Sequence, residues 1–397
     1  SPFLLIGNNT NPQGNTLERI GRGNFFLKIS DNSTEDLEPM TIGILNGDKV
    51  RNIIINYLGF NGKDKTRFGI NAKITTNFQN EIEKLFSMGV QWIRRDFDWF
   101  ILSKNRDEYY PEKLKKLEDL VCNAHKRNIK VLGILVYTPR WARAAGCQGN
   151  YQCRPKEADL YYKFVADMVT HFKGLRIDGF ASDGLKTEGN EVCNIEVDHW
   201  ELWNEPDKKG YFQVPSTETR LDSYWEYILK PGVSAINKYS ARRDKILAPA
   251  LSHHLSVKDD DNIERTKWVT MLINYMKSSG NRIHGFSYHM YDNVHQLYKG
   301  DDVINDFDIN YIRAELDIKG FKDLELWVTE VGIKLNNGND QFQFEFITHS
   351  NFINGIKPPP GITVENEGKV DKFFYYAWYY GPVEDDHGLL DQNFNDR

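Results

Sequence analysis

Long apolar runs are missing from this 397-residue chain, and no stretch approaches the ~18 residues a membrane-spanning helix needs. No basic run stands out either. A formal net charge of −6 argues against nucleic acid or an anionic membrane as the main partner. Histidine pairs at metal-ligand spacing are absent, so neither a metal nor a cofactor is expected. A Gly-rich phosphate turn after the first strand of the α/β region is absent too, which weighs against an open, doubly wound sheet. The acidic stretch DDDN at 259–262 reads as a solvated loop, with a surface Ca²⁺ site as the alternative. Cysteine is scarce, at four. Cys147 and Cys153 share a Gly-rich loop and can close a small bridge, whereas Cys122 lies on an apolar helical pattern and reads as a buried thiol. No signal peptide is visible. A Cys147–Cys153 bridge favours an exported protein, secreted or periplasmic, from which the signal peptide has been removed.

Aromatic residues are plentiful, at 13% of the chain. Most belong in a core, and a handful are candidates for platforms under an apolar-faced ligand such as a sugar. Residues 1–62 carry short β-like runs with polar turns between them and no helical period, which reads as a small β appendage packing on the next domain. Across 63–397 strands and helices alternate. The strand-like segments are RFGINAKI, VQWIRRDFDW, KVLGILVYTPRWA, VDHWELWNEP, KILAPALS, IHGFSYHMY, LELWVTEVG and KFFYYAWYYGP. Amphipathic helices lie between them, one interrupted at Pro231 and a weak one at 342–354. Eight such repeats imply a parallel sheet closed into an α/β (β/α)₈ barrel.

In such a barrel the active site gathers at the C-terminal strand ends. Those ends carry Arg94, Asp96 and Trp99 on strand two, Tyr137, Arg140 and Trp141 on strand three, and Asn204 and Glu205 on strand four. His289 and Tyr291 end strand six, Glu330 ends strand seven, and Trp378 ends strand eight. Two carboxylates facing one bond are what glycosidic cleavage requires: one protonates the leaving oxygen while the other attacks the anomeric carbon or activates water. Arg95 sits beside Arg94, but strand alternation sends the two to opposite faces. Glu201 and Glu325 lie nearer their strand starts and read as structural. The loop arginines Arg140, Arg143 and Arg154 are candidates for contact with an anionic sugar.

WNEP on strand four, TE at the end of strand seven, H-x-Y on strand six and an arginine on strand two together resemble the clan A glycoside hydrolases. GVQWIRRDFDW, LVYTPRWA and WNEPD look most like family 39 of that clan. The resemblance covers about residues 66–392. It implies Glu205 as general acid/base and Glu330 as nucleophile of a retaining mechanism on a poly- or oligosaccharide. It further implies Asn204 on the sugar 2-hydroxyl, Arg94 and Tyr291 holding Glu330, His289 lining the subsite and Trp378 as a sugar platform, with Trp141 and Tyr137 as further contacts. Glu205 is expected to sit less solvated and so keep its proton. Many family 39 members carry a β-sandwich after the barrel, and none is visible here. Long loops after strands three, four, five and seven suggest a cleft and endo-action. A non-catalytic carbohydrate-binding barrel and a transglycosylase using the same intermediate are the alternatives.

Overall fold

The computed structural model describes the backbone of five strands before residue 56. From residue 68 to 377 it describes all but 75–76, 148–149, 174, 177–192, 241–243, 253–254, 256, 280–282, 292–306 and 333–369. Trp378 and the helix expected at 342–354 lie outside the described residues. The chain divides into two units, Ser1–Thr66 with Asn339–Lys357, and Arg67–Gly338 with Pro358–Arg397. The described strands of the smaller unit pair antiparallel, as a three-stranded sheet (Phe3–Ile6, Met40–Asn46, Lys49–Ile55) and a hairpin of Thr16–Arg19 with Phe25–Lys28.

The larger unit is a closed parallel barrel of eight strands. They are β1 (Phe68–Asn71), β2 (Trp92–Asp98), β3 (Lys130–Val136) and β4 (His199–Leu202), then β5 (Lys245–Leu247), β6 (Gly285–His289), β7 (Glu325–Val331) and β8 (Lys372–Tyr375). Each pairs with its neighbour in chain order, and β8 pairs with β1 to close the ring. Helices follow most strands: α1 (Phe78–Ser87), α2 (Pro111–His125), α3 (Ala158–His171), α4 (Lys230–Tyr239), α5 (Thr266–Ser279) and α6 (Phe307–Ile318). The helix expected to break at Pro231 does not break. Arg220–Tyr224 runs through a π-helical turn at Trp225–Leu229 directly into α4. A wider turn just ahead of Pro231 accommodates its ring and its missing N–H.

Alternation sends every second strand residue into the barrel. Its interior is filled by Trp92, Leu132, Leu247, Trp327 and Phe374. The rings of Trp92 and Trp327 meet edge to face at 5.1 Å, and Trp327 stacks on Phe374 at 5.9 Å. Buried Lys372 lays its ammonium over both indoles, 5.2 and 5.0 Å from the ring centroids, so that the cation is offset by two π faces. Gly69 makes room for this packing, because a Cβ there would meet the Phe374 ring at 2.4 Å. The barrel is therefore solid near the strand starts, and the convergent polar groups of the candidate site lie at the opposite mouth.

Cys122 is not a free thiol: it is bridged to Cys193, 71 residues away, tying α2 to the segment that enters β4. Cys147 and Cys153 form the second bridge and close the loop after β3. The stretch 259–262 is only partly a solvated loop: Asp260 and Asn262 are exposed, Asp259 is buried, and all three aspartates are engaged. Asp259 accepts from the backbone N–H groups of Asp261 and Ile263 and from the Trp268 indole, Asp260 accepts from the Lys209 N–H, and Asp261 pairs with Arg220. The loop clips neighbouring segments together. Among the described residues no group of three metal-ligating side chains is found, and no helix is long and apolar enough to cross a membrane.

Candidate active site

Arg94, on β2, is the hub of the barrel mouth. Its Nε donates to Glu201 Oε2 at 2.7 Å, Nη1 donates to Asn71 Oδ1 at 2.9 Å and to Glu330 Oε1, and Nη2 donates to Asn204 Oδ1 at 2.8 Å. One planar guanidinium thus sets the positions of side chains from β1, β4 and β7. Burial works against its charge, but Glu201 and Glu330 more than compensate and hold the guanidinium protonated. Arg95 points to the other face, where its Nη1 reaches the Ala72 carbonyl at 3.4 Å.

Glu330 owes its position to a break in strand regularity. Thr329 already points inward, toward Glu201 at 3.4 Å. The register with β8 shifts between Val328 and Val331, so the next side chain, Glu330, also turns into the mouth. There its Oε1 accepts from Arg94 and its Oε2 accepts from the Tyr291 hydroxyl at 2.8 Å. β4 ends in a comparable kink. Trp203 and Glu205 have positive φ values of 78° and 40°, and the Glu205 N–H donates to the Ala250 carbonyl at 2.9 Å. Asn204 and Glu205 can therefore both face the site. Because Asn204 spends its carbonyl oxygen on Arg94, its amide NH₂ is the end available to a ligand.

His289 lies between the carboxylates. Its Nδ1 is 2.8 Å from Glu205 Oε1 and 3.5 Å from Glu330 Oε2. Those two oxygens can be no farther apart than the two contacts laid end to end, about 6.3 Å. Lys208 reaches the other oxygen of Glu205, Oε2, at 3.2 Å. Glu205 is buried, as expected, but it does not keep its proton. Burial favours the neutral acid, yet the hydrogen bond and charge of His289 and the ammonium of Lys208 outweigh it and hold the pKa down at about 2.

The remaining expected residues are more scattered. Tyr137 sits edge-on to Tyr151 at 5.0 Å and to Trp203 at 5.9 Å, at the rim beyond β3. Trp141 packs edge-on against buried Trp99 at 5.7 Å. Two of the three loop arginines are already engaged. Arg154 makes paired contacts to Glu218 at 2.7 and 2.5 Å, and buried Arg143 donates to the Thr138 carbonyl at 2.9 Å. Only Arg140 of the three is exposed. Glu201 is fully buried under Arg94, and Glu325 accepts from the Trp327 indole.

Three members of the site were not singled out from the sequence: Asn71, Lys208 and Tyr376, whose ring faces Tyr291 at 6.2 Å. Alternation from inward Phe374 marks Tyr376, and alternation from Gly69 marks Asn71, so both were findable. Asp98, at the end of β2, caps the short helix Trp99–Leu102 by accepting from the Ile101 N–H. Burial first, then the charge of Asp96, pushes its pKa up to about 7. The folded value lies above the unfolded one, so the resulting stability is complete below about pH 4 and is lost as pH rises through 7. Asp98→Asn keeps the cap and removes the charge. Melting curves should therefore show the variant gaining on wild type between pH 5 and pH 8, whereas parallel pH profiles would contradict this environment for Asp98.

No family model and no curated protein matches the chain. Solved structures do. A glucosidase from Croceicoccus marinus superposes with a TM-score of 0.54 at 16% identity, over 79% of this chain and 60% of that one. A family 39 glycoside hydrolase from Bacteroides cellulosilyticus WH2 gives 0.53 at 15%, over 94% and 70%. The exo-β-1,4-mannosidase Op5Man5 from Opitutaceae bacterium strain TAV5 gives 0.54 at 12%, over 84% and 57%. The barrel is the fold these glycoside hydrolases share. This chain spans less than two thirds of the glucosidase and of the mannosidase.

Proposed function

We propose that the chain is a retaining glycoside hydrolase acting on a poly- or oligosaccharide, with Glu330 as nucleophile and Glu205 as general acid/base. The observation that carries this is the pair of carboxylates bridged by His289, with facing oxygens no more than about 6.3 Å apart. Retaining enzymes hold their carboxyl groups ~5–5.5 Å apart, and inverting enzymes need ~6.5–9.5 Å to admit a water. The lopsided support of the two groups suits the division of labour. Glu330, fixed by Arg94 and Tyr291, attacks the anomeric carbon as Glu205 delivers a proton to the departing oxygen. Glu205 then takes a proton from the water that cleaves the glycosyl ester. The names of the structural neighbours, a glucosidase and a mannosidase among them, support the same class of reaction. Proton NMR of the first product formed tests the stereochemistry: retention of the anomeric configuration is expected, and inversion would rule out Glu330 as nucleophile.

Endo-action is supported by an aromatic track leading out of the mouth. Tyr137 meets Tyr151, and Tyr151 stacks on Phe100 at 5.3 Å with a 17° tilt; Tyr151 and Phe100 are 40% and 41% exposed. Tyr151 is held by the Cys147–Cys153 bridge and by its carbonyl, which accepts from the Thr138 N–H at 2.7 Å. Phe100 is already covered by Tyr151 and by the Arg143 guanidinium, so Tyr151 is the ring that offers a sugar a stacking surface. Tyr151→Ala should raise KM about tenfold on long chains while changing hydrolysis of an aryl glycoside less than twofold. Equal effects on both substrates would remove the track from the binding site. Two disulfides support a secreted or periplasmic location, since such bridges persist in oxidising compartments.

A further inference from the structure

Lys208 stands out once the loop arginines are accounted for. It is the cation in direct contact with a catalytic carboxylate on the side away from Glu330. Its backbone is fixed in the turn after β4: its N–H donates to the Glu205 carbonyl at 3.0 Å, and its carbonyl accepts from the N–H groups of Tyr211 and Phe212. Its side chain is 28% exposed and ends on a flexible four-carbon stem. The ammonium can therefore swing while its attachment stays put.

This arrangement poses a chemical problem. A general acid must carry a proton when the glycosidic bond breaks, and an ammonium 3.2 Å from its carboxylate opposes that. The other groups around Glu205 do not remove the difficulty. His289 Nδ1 meets its second oxygen at 2.8 Å and itself favours the carboxylate, Glu330 and Tyr291 lie beyond His289, and Asp207 is held by Ser252 and Arg265. Of these partners only Lys208 can leave without dismantling the site. An anion on the leaving-group sugar would draw it away.

We propose that Lys208 is a specificity device that selects substrates bearing an anionic group, carboxylate or sulfate, on the leaving-group side of the scissile bond. This rests on the glycosidase reading above. Lys208 clamps Glu205 as a carboxylate. When an acidic sugar enters the leaving-group subsite, its anion takes the ammonium and Glu205 is released to bind a proton. That proton passes to the glycosidic oxygen as the C1–O bond breaks and Glu330 bonds to C1. A neutral sugar leaves the clamp in place and is cleaved slowly.

The experiment compares acidic polysaccharides with their own carboxyl-reduced or desulfated counterparts, using wild type, Lys208→Gln and Lys208→Arg. Wild type should prefer the acidic member of a pair by tenfold or more in kcat/KM. Carboxyl reduction and desulfation separate the two sources of charge. Lys208→Gln should reverse the order: cleavage of the acidic member falls at least tenfold, while cleavage of the neutral member rises and its alkaline limit moves to higher pH. Lys208→Arg should restore the wild-type preference in part. A damaged fold lowers both activities together, so a loss of both in Lys208→Gln, or a wild type indifferent to the charge, overturns the proposal. If no glycan is cleaved, the glycosidase reading itself fails. Calorimetric binding of the same pairs then decides the Lys208 claim alone: preference for the acidic member that Lys208→Gln abolishes upholds charge selection, and equal binding ends it.

Discussion

Glu330→Ala is expected to lose turnover by about 10⁵-fold, and Glu205→Ala by about 10²–10⁴-fold on natural glycosides, with different chemistry at each loss. Removing Glu330 opens space on the face from which Arg94 and Tyr291 point. Azide entering there attacks the anomeric carbon from the nucleophile's side, so the rescued product should be a glycosyl azide of inverted configuration. Removing Glu205 leaves the nucleophile intact, and a substrate with a good leaving group still forms the glycosyl ester. Azide then attacks that ester in place of the water Glu205 would have activated, and the product should have retained configuration. Product NMR reads both outcomes. The same configuration from both variants would mean that the two glutamates do not divide the work as assigned.

Arg94→Met should be the most damaging single change outside the carboxylates. Arg94 is 3% exposed and donates to Glu201, Asn71, Glu330 and Asn204. Its loss strands the fully buried Glu201 carboxylate. Breaking a buried ion pair from one side costs about 3–5 kcal/mol, so Tm should fall by roughly 10 °C. Adding Glu201→Gln removes the stranded charge and should recover much of the Tm. It should not recover activity, because Glu330 and Asn204 still lack the donor that orients them. Recovery of both together would make Arg94 a structural residue only, and a Tm unmoved by Arg94→Met would contradict the hub itself.

The barrel was legible because its signal is redundant: eight strand-like runs with amphipathic helices between them overdetermine a parallel ring. The rim residues followed from reading strand ends; alternation put the adjacent arginines on opposite faces, and the motif, not periodicity, chose Arg94 as the inward one. The same rule fails at Glu330. With Trp327 and Thr329 pointing inward, alternation sends Glu330 outward, and only the register shift beside Val331 turns it into the mouth. The motif found it where periodicity could not. Cys122–Cys193 was illegible for another reason, since a bridge across 71 residues depends on where α2 and the segment ahead of β4 meet in space. Glu205 was misjudged in its charge state because the expectation weighed burial without His289 and, after it, Lys208, three residues on, curling back to its carboxylate.

The most direct measurement is reducing-end release from a broad panel of neutral, acidic and sulfated polysaccharides near pH 6, with wild type, Glu205→Gln and Glu330→Gln run side by side. The account predicts that wild type cleaves at least one glycan and that both variants lose that activity by orders of magnitude. Cleavage that survives both substitutions, or a glycan bound by wild type and never cut, would contradict it.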